Sequence, residues 1–212
     1  MNLDDLPPPE LMWAGKYVCA LKRDKWEYAS RANDITAVVI LAEYEGKVIL
    51  IDQPRVPPDC RCLELPAGLV GDLDPTATPE STAIEELEEE TGFTAESIER
   101  LGEFYASPGM LSESFTLVRA HGVSKIGEGG GDENEDINVH LVPRADIPNF
   151  IEQKRAEGFG VDVKLLIFIN FKILPGTGRG DQRELVEGAA CRSPGPLRQT
   201  CGLPPPHSGR NF

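Results

Sequence analysis

Positive charge is scarce in this sequence: 21 Lys and Arg stand against 35 Asp and Glu, a formal net charge of −14 at pH 7. Such a chain has no electrostatic footprint for a nucleic-acid backbone and is repelled by an anionic membrane surface, so neither is expected as a partner. A small anionic substrate stays open, because a divalent cation inverts the local field. Long apolar runs are missing too. "LLIFINFKIL" falls well short of the roughly 20 apolar residues that a membrane span needs.

Cysteine is sparse and irregular. Cys19, Cys60, Cys62, Cys191 and Cys201 form an odd set without the spacing of a disulfide framework, and Cys60 and Cys62 are separated by one residue, poor spacing for a zinc pair. Ordinary reduced thiols in a reducing compartment are expected. The opening "MNLDDLPPPELMWAG" is acidic and Pro-rich and lacks the apolar core of a secretory leader, so a cytoplasmic protein is expected. His121 and His140 lack metal-ligand spacing, and the serines of "SPGMLSES" (Ser107, Ser112, Ser114) do not make a nucleophile elbow. No internal repeat is visible.

What remains is a chain of 212 residues, 40% hydrophobic, able to bury the core of one domain with extensions. "KYVCALKRDKWEYASR" reads as a strand pair. "DITAVVILAEYEGKVILIDQPR" reads as a hairpin about "EYEG" that ends at Pro54 and Arg55. "RCLELPAGL" reads as a short strand stopped by Pro66 and Gly68. Thr78 as N-cap and Pro79 at the first helical position predict a helix through about Thr91, stopped by Gly92. Strands follow at "RLGEFYAS", "SESFTLVRA" and "INVHLVP", and then two helices at "RADIPNFIEQKRAEG" and "VDVKLLIFINFKIL". Mixed strands with few helices predict an α+β layered sandwich. From Pro175 the composition turns to Gly, Pro and Arg without periodicity, so residues 175–212 are expected to be a disordered tail outside the core.

The helix contains "AIEELEEETGF", with Glu at 85, 86, 88, 89 and 90. Like charges three and four apart cost roughly 0.2–0.5 kcal/mol per pair. Glu86, Glu89 and Glu90 fall on one helix face, Glu85 borders it and Glu88 points away. An acidic helix is ordinarily a solvated surface, whereas three oxygen donors on a rigid element also suit Mg²⁺ or Mn²⁺.

The stretch "LPAGLVGD…STAIEELEEETGF" resembles the signature of the Nudix hydrolases, Gly-x5-Glu-x7-Arg-Glu-U-x-Glu-Glu-x-Gly-U, where U is aliphatic or aromatic. Glu86, Leu87, Glu89, Glu90, Gly92 and Phe93 stand where the pattern requires them, and Gly71 takes the leading glycine. Ala77 replaces the leading Glu and Glu85 replaces the Arg. "QPRVP", "LELPAG", "SPGMLSE" and "GGGDENEDINVHLVP" extend the resemblance, in order, to the ADP-ribose pyrophosphatase branch of that family.

The resemblance implies a Nudix-type α/β/α sandwich with a mixed β-sheet at 35–174, preceded by an N-terminal strand extension at 1–34. In that branch such an extension pairs across a homodimer. The resemblance also implies metal ligands at Glu86, Glu90 and the Ala67 carbonyl, with Glu89 in the same cluster as both a metal and a catalytic residue, and Mg²⁺ as the cofactor, Mn²⁺ being the alternative. The implied substrate is a nucleoside diphosphate-sugar. Its diphosphate is hydrolysed, as in ADP-ribose to AMP and ribose 5-phosphate. The acidic loop "GGGDENED" supplies Glu133 as first and Glu135 as second choice of catalytic base. Arg55 is placed to hold phosphate or stack on a base, or is a surface arginine. Glu64 is placed to position substrate or metal, and Glu113, which matches an acid of the branch, is expected at the substrate site, behind the ligands or linked to the metal. A nucleotide-binding module of the same fold, without turnover, is the alternative that Ala77 and Glu85 favour.

Overall fold

The computed structural model describes residues 2–32, 35–71, 74–131 and 135–169. After a short 3-10 turn at Leu3–Asp5, strands β1 (Glu10–Ala14), β2 (Val18–Arg23) and β3 (Trp26–Arg31) form an antiparallel sheet, with Asp24 at positive φ in the β2–β3 turn. The expected strand pair is therefore present, joined by a third strand.

Strands β4 (Thr36–Leu41), β5 (Glu43–Tyr44) and β6 (Lys47–Arg55) come next. The hairpin expected about "EYEG" is real only between β5 and β6, where Glu45 and Gly46 both take positive φ, as a tight hairpin turn requires. β4 instead belongs to a different sheet. Its run Val38–Val39–Ile40–Leu41 is buried throughout, so both faces need cover, and a simple two-stranded hairpin cannot supply it. Alternate residues serve two cores: Val38 and Ile40 pack toward the first helix, Val39 and Leu41 toward the second.

β7 (Cys60–Glu64) and β8 (Ala67–Val70) are separated by Leu65–Pro66, where the chain passes from one sheet to the other. Helix α1 (Pro79–Thr91) follows, and then β9 (Phe93–Thr94), β10 (Ser97–Tyr105), β11 (Ser114–His121), β12 (Ser124–Lys125), β13 (Asn138–Pro143), helix α2 (Ile147–Ala156) and β14 (Gly160–Val161). One mixed sheet runs β10-β11-β4-β8 and another runs β13-β6-β7-β14, with β5 beside β6. α1 covers one core through Ala83 and Leu87; α2 covers the other through Ile147 and Ile151. Helices on either side of packed mixed sheets make the expected α+β sandwich.

The last expected helix differs. Val163–Phe168 is a 3-10 helix capped by the Asp162 side chain, directly after β14, and Asn170–Leu174 lie outside the described residues, as does the tail 175–212. β14 fixes the chain in extended form up to Val161, which leaves too few residues for a full α-helix before Ile169 returns to the extended region.

α1 is built as its sequence dictates. Thr78 accepts from the Ser81 N–H and Ser81 answers on the Thr78 N–H, Pro79 opens the helix, and Gly92 closes it at φ 73°. Beyond Gly92 the chain packs backbone against backbone: a Cβ at Gly92 would lie 2.4 Å from the Gly127 carbonyl oxygen and 2.6 Å from the Gly129 nitrogen. Gly46 has a similar φ of 74° with nothing within 4 Å. Gly46→Ala is therefore expected to cost about 1 kcal/mol, the left-handed penalty alone, and Gly92→Ala about 3 kcal/mol, because overpacking adds to it. Urea unfolding of both variants checks this, and equal losses would contradict it.

Candidate active site

Glu86 follows Ala83 by three residues and Glu90 follows Leu87 by three, so both carboxylates stand beside the apolar stripe that seats α1. The stripe carries them inward. Glu90 is 3% exposed, Glu86 is half-buried, and Glu85 and Glu89 are exposed. Glu88, which the spacing turns away from this face, is half-buried and does not line the cleft described below.

Both inward carboxylates dock on β8. The Ala67 N–H donates to Glu90 Oε2 at 3.0 Å, and the Leu69 backbone hydrogen bonds to Glu86. Between these contacts lies Gly68, whose bare Cα makes room for the Glu86 side chain: a Cβ there would fall 2.0 Å from Glu86 Oε1 and 2.2 Å from its Cγ. "PAG" is thus the cradle of the helix acids. Burial, and then the charges of Glu89, Glu135 and Glu85, push the Glu86 carboxyl up to about 7. Burial pushes Glu90 up to about 8, aided by Glu86 and Glu135 and opposed by the Ala67 N–H and by Arg55. Glu85, where the family pattern has an Arg, adds to the repulsion.

These acids form one wall of a cleft of about 780 Å³. Arg55, Glu64, Ala67, Glu86, Glu89, Glu90, Glu113 and Glu135 all line it, so residues chosen from segments far apart in sequence converge. Glu133 lies outside the described residues. Arg55 grips the buried Glu64 through two parallel bonds, Nε to Oε1 at 2.8 Å and Nη2 to Oε2 at 2.7 Å. Sequence reasoning missed Arg31, which donates to Glu113 from 82 residues away at 2.5 Å. It also missed Lys164, whose ammonium lies 2.5 Å from Asp162 Oδ2 and 5.5 Å from the Phe115 ring centre. Nothing local marks either residue; only the fold brings them to the cleft. Gln53, Asp74, Phe115 and Asp162 are among the further lining residues.

Among the described residues, the cleft is lined by nine acidic side chains against three cationic ones, and each of the three holds an acid of the cleft. Among the described residues no three His, Cys, Asp or Glu side chains gather tightly enough to cage an ion by themselves. An all-oxygen set on a buried helix face still fits a hard divalent cation, which keeps several waters and shares substrate oxygens rather than needing a closed cage. A thiol does not join this set: burial pushes Cys62 up to about 12.

The raised carboxyls make stability pH-dependent. A group whose folded value lies above its unfolded one keeps its proton longer in the folded state, so folding weakens as pH rises from about 5 through about 8. In EDTA, the thermal midpoint of the parent is expected to fall more across that range than that of Glu90→Gln, which has no proton to lose at position 90. Parallel curves for the two proteins would contradict the burial argument.

A family model described as the NUDIX domain matches residues 32–159. An ADP-ribose pyrophosphatase of Bacillus subtilis (strain 168) is 38% identical over 120 residues, covering 56% of this chain and 63% of that protein. A GDP-mannose pyrophosphatase of Cronobacter sakazakii is 38% identical over 130 residues, covering 57% and 65%. The chain thus spans somewhat under two thirds of the length of these relatives. A crystal structure described as an ADP compounds hydrolase superposes with a TM-score of 0.58 at 22% identity, over 77% of this chain and 90% of that one, which establishes the shared fold. With the box residues Glu86, Glu89 and Glu90 on α1 and Gly92 as its cap, and the family model matched over residues 32–159, the chain belongs to the Nudix family.

Proposed function

We propose that the protein is a divalent-metal-dependent pyrophosphohydrolase of nucleoside diphosphate-sugars, with ADP-ribose, cleaved to AMP and ribose 5-phosphate, as its substrate. The observation that carries this reading is the docking of Glu86 and Glu90 on β8 inside a cleft of net negative charge. A diphosphate cannot enter such a cleft without cations to neutralise it. Two relatives bear names of pyrophosphatases, one of ADP-ribose and one of GDP-mannose, which supports the substrate class and leaves the base and sugar to pocket side chains.

Glu86, Glu90 and the Ala67 carbonyl would hold Mg²⁺, or Mn²⁺ in its place, with Glu89 at the exposed edge of the cluster. The bound ion supplies charge neutralisation of the diphosphate and acidification of water. The chain's own groups do the rest. Arg55, held flat by Glu64, presents a guanidinium face for a phosphate oxygen or a base. Glu113, oriented by Arg31, supports the far wall. Glu135 faces the cleft and takes the proton from the attacking water, a role that Glu133 in the same loop shares as a candidate. The water oxygen bonds to one phosphorus, and the bridging P–O bond breaks.

Ala77 and Glu85 favour a second reading, a nucleotide-binding module without turnover. Loss of the box Glu and Arg together leaves neither charge stranded, so the fold tolerates it. Incubation with ADP-ribose and Mg²⁺ separates the two: release of AMP is expected, and Glu90→Gln is expected to lower the rate by at least about 100-fold. Binding of ADP-ribose without product would establish the module.

A homodimer belongs to the same reading. Leu11, Met12 and Trp13 of β1, together with Val18 and Trp26, are exposed on the N-terminal sheet, an apolar area suited to a second copy. A mass in light scattering of twice the 23.2 kDa chain is expected, and Trp13→Asp is expected to return it to one. A cytoplasmic setting agrees with Cys19, Cys60 and Cys62, which are free thiols.

A further inference from the structure

The acidic loop that carries Glu135 is fastened at both ends, and the two fastenings differ. Its leading end is sewn to the end of α1. The Gly130 N–H donates to the Glu90 carbonyl at 2.9 Å and the Gly131 N–H to the Glu89 carbonyl at 3.0 Å, so the last turn of the helix finds its partners in the loop. That end therefore follows the helix carboxylates wherever they go.

The trailing end is gripped by an arginine. Arg61, on β7, donates from Nη1 to Asp136 Oδ2 at 2.6 Å and from Nη2 to the Asp136 carbonyl at 2.8 Å. The same guanidinium donates from Nε to Asp52 Oδ1 at 2.7 Å and from Nη2 to the Asp52 carbonyl at 3.1 Å. Asp52 is 1% exposed and also receives Asn138 Nδ2 at 3.0 Å and Lys154 Nζ at 3.4 Å, with His140 Nε2 at 2.6 Å. One face of the fork thus grips an anchor fixed by three strands and α2, and the other grips the residue next to Glu135. Asp136 itself is 70% exposed, so the core has no need of its carboxylate.

We propose that Arg61 is a positioning residue for the cleft acid Glu135, acting through Asp136 to hold the trailing stem of the loop at a fixed place relative to the acids of α1. Because Glu135 is read as a base of the hydrolysis, the catalytic half of this inference rests on the proposed function; the clamp itself does not. A planar fork is required, since four bonds to two residues exceed what an ammonium can make in one plane.

The test uses Asp136→Ala and Arg61→Lys in the full chain, with two readouts. In steady-state hydrolysis of ADP-ribose with Mg²⁺, both variants are expected to lose 10- to 100-fold in kcat with KM within about twofold of the parent, the pattern of a misplaced catalytic group. In hydrogen exchange followed by mass spectrometry without substrate, the peptide spanning 135–138 is expected to exchange faster in Asp136→Ala while the peptide of α1 stays unchanged. Unchanged exchange in that segment overturns the clamp whatever the activity. Faster exchange with an unchanged kcat overturns the positioning role. A fall in kcat that tracks a lowered thermal midpoint in Asp136→Ala likewise overturns it, as a structural effect alone. Faster exchange in a protein that turns over no nucleoside diphosphate-sugar upholds the clamp and removes the functional reading on which the catalytic half stands.

Discussion

The structure turns on two carboxylates pulled out of water onto the backbone of a neighbouring strand. Glu90 accepts the Ala67 N–H, Glu86 accepts from Leu69, and Gly68 leaves the space between them. Burying an ionised carboxylate without a counter-charge is costly, and the usual escape is to keep the proton. That is the direction both groups take, with Glu86 at about 7 and Glu90 at about 8. The helix acids are thus held in geometry by the fold and out of charge balance by their surroundings. A divalent cation bound there would resolve that conflict.

The rest of the fold serves this arrangement. Ala83 and Leu87 seat α1 against β4, which is buried on both faces, so the helix has no freedom to turn its acids outward. Gly92 ends the helix in a left-handed turn and lets the glycine loop that follows β12 run close beside it. That loop returns its N–H groups to the last helical carbonyls and then carries Glu135 into the cleft. Among the described residues no buried side-chain nitrogen or oxygen lacks a hydrogen-bond partner, so the imbalance at Glu86 and Glu90 is one of charge and not of unmade hydrogen bonds.

Much of this was legible in the sequence because it is local. The Thr78 cap, Pro79, the three-and-four spacing of Glu86, Glu89 and Glu90, and the stop at Gly92 are all encoded within fifteen residues. Chemical type marked Arg55, Glu64 and Glu113 for the cleft through the resemblance of short segments. Non-local pairing was not legible. The run from Val38 to Leu41 reads as one arm of a hairpin, yet its neighbours are β8 and β11, the latter reached only after α1 and β10. Arg31 meets Glu113 across 82 residues, and Asp52 meets Lys154 across 102. Nothing in the sequence marks Arg61, which the fold sets between a buried aspartate and the acidic loop. No periodicity records such meetings.

The central claim is that the cleft acids are partly protonated until a cation binds. Calorimetric titration of Mg²⁺ into the protein at pH 7, repeated in buffers of different ionisation enthalpy, measures it directly. The account predicts that binding releases about one proton or more per chain, seen as a binding enthalpy that varies linearly with buffer enthalpy. Binding of Mg²⁺ with the same enthalpy in every buffer, and so without proton release, would contradict it.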